Sequence, residues 1–89
     1  MHVPIQRTKF RRDFKRQAKR GKNLAKLETV VESLLLDGVL DLSYRPHKLS
    51  GEYTGLWECH IESDWLLIYN ATDTEVTLAR TGTHADLFE

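Results

Sequence analysis

The stretch WECHIESDWLLIYNATDTEVTLART, residues 57–81, decides the fold. In WECHIE, residues 57–62, Trp57, Cys59 and Ile61 alternate with Glu58, His60 and Glu62, which is the two-residue period of a half-buried strand. WLLIY, residues 65–69, is almost continuously apolar and suits a central strand covered on both faces. EVTLART, residues 75–81, follows, with Ser63-Asp64 and Asp73-Thr74 supplying the tight turns of an antiparallel meander. Strand side chains alternate between faces, so Glu58, His60 and Glu62 project away from the face that carries Trp57, Cys59 and Ile61. Val76 and Leu78 belong to the apolar face. Strict alternation would put Arg80 there too, and only a twist or bulge at the strand end would bring its cation to the polar side.

Working outward, Val3 to Arg7 is short and β-compatible, with Pro4 where an edge strand tolerates a missing N–H. Thr8 is placed to cap a helix on which Phe10, Phe14 and Ala18 recur every four residues, and Gly21 stops it. Leu24, Leu27, Val30, Val31, Leu34 and Leu35 keep helical spacing as far as Asp37-Gly38, predicting a second helix that shares its apolar side with the first. Val39 to Leu56 holds Pro46, Gly51 and Gly55 and reads as an extended loop. The order β-α-α-β-β-β predicts one α+β domain over residues 1–89, a two-helix hairpin packed on a small antiparallel sheet with a short C-terminal tail. A domain of this size has one modest core, so its site lies on the surface or in a shallow cleft.

Composition narrows the function classes. No basic start leads into an apolar run, and no apolar stretch approaches the roughly 20 residues that span a bilayer, so a cytoplasmic protein without a membrane partner is expected. Cys59 is the only cysteine, which rules out an intrachain disulfide and leaves a cysteine-based zinc site without partners. The zero formal charge conceals a sorted chain. Residues up to Lys26 hold ten Lys or Arg and one acid, Asp13, while the remainder holds three basic residues against twelve acids. Such asymmetry favours contact with a polyanion, with Arg11, Arg12, Lys15, Arg16, Lys19 and Arg20 as the candidate phosphate contacts; a solvated helix face is the structural alternative.

His2 sits in a start expected to be mobile, whereas His47, His60 and His84 fall in the loop, on the first meander strand and in the tail. Imidazole gives and takes protons near neutrality, which ribose phosphodiester cleavage requires twice, once to activate the 2′-OH and once to protonate the leaving 5′-oxygen. Arg80 supplies a bidentate cation for phosphate. Glu58 or Asp64 would orient a histidine or act as base. Three histidines also suit zinc, but spacings of thirteen and twenty-four residues match no compact metal motif. Cys59 is expected to face inward, and Trp57, Trp65 and Tyr69 to fill the core. Tyr53 and Phe88 are placed to stack on a base.

The run PHKLSGEYTGLWECHIESDWLLIY, residues 46–69, followed by RTGTHADLF, residues 80–88, resembles the YafQ branch of the RelE toxin family. The resemblance rests on His47 and Leu49, Gly51, the segment Gly55 to His60, Asp64-Trp65, Tyr69, and Arg80 to His84 with Leu87-Phe88. It implies a toxin of a bacterial type II toxin–antitoxin pair that cuts messenger RNA in the A site of the 70S ribosome, without metal or other cofactor. The implied catalytic positions are His47, His60, Asp64 and His84, supported by Phe88, with Arg80 offsetting charge on the phosphate and Glu58 beside them. Glu58 departs from the aspartate common in the branch. The implied partners are a cognate antitoxin, ribosomal RNA and messenger, with operator DNA reached only through the antitoxin complex. The competing readings are a gyrase-poisoning toxin of the same fold, as in the ParE branch, which lacks the histidine set, and a catalytically silent relative that only binds its antitoxin.

Overall fold

The computed structural model describes residues 1–89. Its elements are β1 (Val3–Gln6), α1 (Thr8–Lys19), α2 (Leu24–Asp37), β2 (His47–Lys48), β3 (Trp57–Glu62), β4 (Trp65–Ala71), β5 (Glu75–Gly82) and α3 (His84–Phe88). The expected α+β order and the β3-β4-β5 meander are present. The sheet differs in two respects: its order is β1-β5-β4-β3-β2, with β1 parallel to β5, and the two-residue β2 extends it beyond β3. The loop before β3 is thus not merely extended. It carries β2 between single 3₁₀ turns at Leu42–Tyr44 and Gly51–Tyr53. No helix is long and apolar enough to cross a membrane.

Phe10, Leu27, Val30, Leu34, Cys59, Trp65, Leu67, Tyr69, Val76 and Leu78 form the main core between the helices and the sheet. α2 reads as expected, with the Asn23 side chain accepting from Ala25 N and Gly38 closing it in the left-handed region at φ 73°. α1 departs from its predicted stripe. Arg7 occupies the N-cap and gives no side-chain cap, Ala18 faces solvent, and the buried positions are Phe10, Asp13 and Gln17. The four-residue repeat followed apolar identity, whereas the buried face is set by partners on β5. His2 is also anchored rather than free, since its backbone N–H and Nδ1 both donate to Leu35 O.

Gln17 is fully buried, and neither its Nε2 nor its Oε1 has a hydrogen-bond partner. A buried amide in that state costs about 1–3 kcal/mol. Gln17→Met keeps the volume and removes the polar atoms, so it is expected to stabilise the fold by about that amount. A urea midpoint at or below that of the unaltered protein would contradict this.

The sheet face opposite the helices is not bare. Leu66, Ile68, Ala79 and Leu87 form a second, smaller core, with Leu49, Tyr53 and Leu56 packed against it. Residues 49–56 and α3 therefore roof part of this face, and the candidate site occupies what they leave open.

Candidate active site

Strand register aligns the polar residues. His47, Glu58, Ile68 and Arg80 are successive partners from β2 to β5, and His60, Leu66 and Gly82 form the neighbouring row. At about 4.8 Å per strand, the backbone of Arg80 lies about 10 Å from that of Glu58. Arg80 reaches this face because the β4–β5 register shifts by one residue between Ile68 and Tyr69, leaving Ala79 without a partner. A second shift, between His60 and Glu62, has the reverse consequence. Glu62 was expected beside Glu58 and His60, but it turns to the helix side and pairs with Lys22 and Lys26 at 2.9 Å each. Those contacts, Lys26 first, hold its carboxyl below the ordinary range.

Glu58 is 6 % exposed and takes one histidine on each side: His47 Nε2 is 3.5 Å and His60 Nε2 3.6 Å from the same Oε1. Both Nδ1 atoms lie near carbonyls, that of His47 3.1 Å from Arg45 O and that of His60 3.2 Å from Ser63 O. The two Nε2 atoms converge on Glu58, which is placed to stabilise an imidazolium formed at either ring. The two rings are 6.4 Å apart between centroids. Arg45, absent from the sequence-based set, brings Nη2 to 3.3 Å from His60 Nδ1 from a left-handed backbone at φ 50°. No spacing rule flags such a residue; its backbone conformation emerges only with the fold.

The turn between β3 and β4 joins this group to α3. Ser63 supplies the carbonyl for His60, and Asp64 Oδ1 accepts from the His84 backbone N–H at 2.9 Å. Asp64 thus fixes where α3 starts. The His84 ring packs on Phe88 at 4.8 Å, and Phe88 meets the edge of Tyr53 at 5.5 Å. No hydrogen bond or ring contact joins His84 to the His47–Glu58–His60 group. Tyr53, expected to stack on a base, has a structural task instead: its hydroxyl donates to Leu87 O and accepts from Arg80 Nη1.

Arg80 is held by a bidentate contact to Asp13, Nε–Oδ2 at 2.6 Å and Nη2–Oδ1 at 3.2 Å. Asp13 also accepts from Thr81 N, and the pairing raises the Arg80 pKa. Three of the five guanidinium N–H donors are occupied, leaving two free. Arg80 borders a cleft of about 270 Å³ shared with Lys9, Arg12, Asp13 and Arg16, and Lys9 was not among the candidate phosphate contacts. Arg11, Arg12, Lys15 and Lys19 are exposed on α1, whereas Arg20 and Arg16 contact Asp86 at 2.6 and 3.7 Å. Cys59 is buried behind the sheet, where burial first and Glu58 second push its thiol up to about 12, so it offers no thiolate.

Comparison with known proteins fits this arrangement. Residues 3–89 match the model of the family described as bacterial toxin of type II toxin–antitoxin system, YafQ. The mRNA interferase toxin YafQ of Escherichia coli K12 is 41 % identical over 81 residues, covering 89 % of this chain and 87 % of the relative. The toxin in the E. coli DinJ–YafQ toxin–antitoxin complex superimposes with a TM-score of 0.90 at 35 % identity, covering 99 % and 98 % of the two chains. A metal-bound toxin from Helicobacter pylori does so with a TM-score of 0.88 at 33 % identity, covering 99 % and 100 %. The expected α+β fold is that of these toxins, and the chain belongs to the YafQ family of bacterial type II toxins.

Proposed function

We propose that this chain is an endoribonuclease that cuts messenger RNA in the ribosomal A site by acid–base chemistry, with no metal taking part. The observation that carries the reading is the convergence of His47 and His60 Nε2 on one buried carboxylate, Glu58, beside the turn whose Asp64 fixes His84. In the reaction a histidine takes the 2′-OH proton, the 2′-oxygen bonds to phosphorus, and the bond from phosphorus to the 5′-oxygen breaks as a second group protonates that oxygen. The products are a 2′,3′-cyclic phosphate and a 5′-OH. His47, His60 and His84 are the proton carriers, Glu58 steadies the imidazolium and Asp64 orients the His84 segment. Arg80 turns its two free N–H groups to phosphate, and Phe88 supports the RNA. Each proton transfer contributes about 10²–10⁴-fold. The remaining acceleration comes from in-line orientation imposed by the ribosome and from charge stabilisation.

Lys9, Arg11, Arg12, Lys15 and Lys19 are the phosphate contacts to ribosomal RNA in this reading, which fits the sequence-independent affinity that exposed cations supply. The E. coli relative was crystallised with DinJ, and a cognate antitoxin is the corresponding partner here. Exposed Leu36, Val39 and Leu42, beside a groove of Leu40, Pro46, Trp57, Tyr69 and Ala71, offer it an apolar surface. Operator DNA is contacted through that complex, and the toxin works in the bacterial cytoplasm.

The test is cleavage mapping of a defined messenger on 70S ribosomes, using toxin stripped with EDTA and then exchanged into a buffer whose only metal is the Mg²⁺ that ribosomes need. The unaltered protein is expected to cut only on ribosomes and to leave cyclic phosphate ends, and His84→Ala to lose most of that activity. Cleavage that returns only when a transition metal is added back to the stripped toxin, or cleavage equal on free RNA, would overturn the reading.

A further inference from the structure

A helix of five residues does not hold itself together in water, because nucleation costs more than so few hydrogen bonds return. Yet α3 carries both His84 and Phe88. Asp86 is the residue on which its fixation centres. Its Oδ2 accepts from Thr83 N at 2.9 Å while Thr83 Oγ1 accepts from Asp86 N, a closed capping box at the first turn. The same carboxylate takes Arg20 in a fork, Nη1–Oδ2 at 2.6 Å and Nη2–Oδ1 at 3.0 Å, across 66 residues of sequence. It lies directly over Gly82, where an added Cβ would meet Oδ2 at 2.7 Å. The Arg20 contact, followed by the Thr83 hydrogen bonds, holds the Asp86 carboxyl well below the usual range. Arg20 is therefore committed to Asp86, unlike Arg11, Arg12, Lys15 and Lys19 on the helix it closes.

We propose that Arg20 is a positioning residue for the reaction: by clamping Asp86 it fixes the short helix that sets His84 and Phe88 against the substrate. The inference rests on the nuclease reading above and changes what the charge of Arg20 is for. A phosphate contact needs a cation and tolerates lysine. A clamp needs the planar fork, which lysine lacks. The two roles thus predict opposite behaviour for one conservative substitution.

Arg20→Lys and Asp86→Asn are to be compared with the unaltered protein in ribosome-programmed cleavage, with kcat and KM for ribosomes separated. Both variants are expected to lower kcat by about 10²-fold, the effect of a misplacement near 1 Å, with KM little changed. The double variant should be no worse than either single one. The nuclear Overhauser contact between the Tyr53 and Phe88 rings, which meet at 5.5 Å, should weaken in both. Asp86→Asn keeps a capping side chain, so the inference stays testable if Arg20→Lys folds poorly. Full kcat in Arg20→Lys, or a raised KM alone in Arg20→Ala, would overturn the clamp while leaving the nuclease standing. Absence of ribosome-dependent cleavage by the unaltered protein would overturn both.

Discussion

His60→Ala is expected to lower the rate of messenger cleavage on ribosomes by about 10²–10⁴-fold, the usual worth of one positioned proton carrier. Of the three histidines in the proposed chemistry it is the most constrained. Its side chain is only 21 % exposed, its Nδ1 lies 3.2 Å from Ser63 O, and its Nε2 faces the Glu58 carboxylate. Truncation leaves a buried acid with His47 alone, so Glu58→Gln should act in the same direction. Adding Glu58→Gln to His60→Ala should cost little more than His60→Ala by itself, because residues that act as a unit are not additive. The fold should survive, since His60 contributes to neither hydrophobic cluster. Single-turnover cleavage together with a thermal melt separates the two effects. A His60→Ala protein that cuts at the rate of the unaltered one would remove this histidine from the chemistry and leave Glu58 as a structural acid.

The sequence revealed the elements better than it revealed the directions of side chains at their ends. Alternation placed Trp57, Cys59, Glu58 and His60 on their observed faces, because each lies where β3 pairs regularly with β4. It failed at Glu62 and left Arg80 unresolved, and in both cases the cause is a one-residue register shift, a property of two paired strands that neither strand encodes alone. The basic run of α1 was visible as charge, but its division of labour was not. Asp13 was countable as the only acid among ten cations, whereas its task depends on β5, 67 residues away at Arg80. Family motifs named His47, His60, Asp64 and His84 as candidates. Arg45 and Lys9 join the site through backbone geometry and cleft shape, which no short motif records, and Tyr53 was visible but its bonds to Leu87 and Arg80 were not.

Asp13→Ala is expected to destabilise the fold and to release Arg80 from its fixed position. The carboxylate is 3 % exposed and holds two N–H groups of Arg80 and the backbone N–H of Thr81. β1 pairs with β5 only as far as Leu78, so beyond that point the β5 edge has no strand neighbour, and Asp13 supplies the acceptor that a strand would. Arg80 is only partly buried, so its charge keeps some solvent, and losing Asp13 costs about 1–3 kcal/mol, including the Thr81 N–H left without its acceptor. For a domain of this size that lowers Tm by at least about 4 °C. The control is to remove both charges. Asp13→Leu with Arg80→Met replaces the pair by apolar side chains and should recover part of the stability lost in Asp13→Leu, leaving only the Thr81 N–H without its acceptor. That double variant should nevertheless cleave poorly, because the cation aimed at phosphate is gone. Recovery of stability without recovery of activity would assign Asp13 to holding Arg80 in place and Arg80 to the RNA; no recovery in the double variant would mean that the Thr81 hydrogen bond, not the ion pair, is what ties α1 to the sheet.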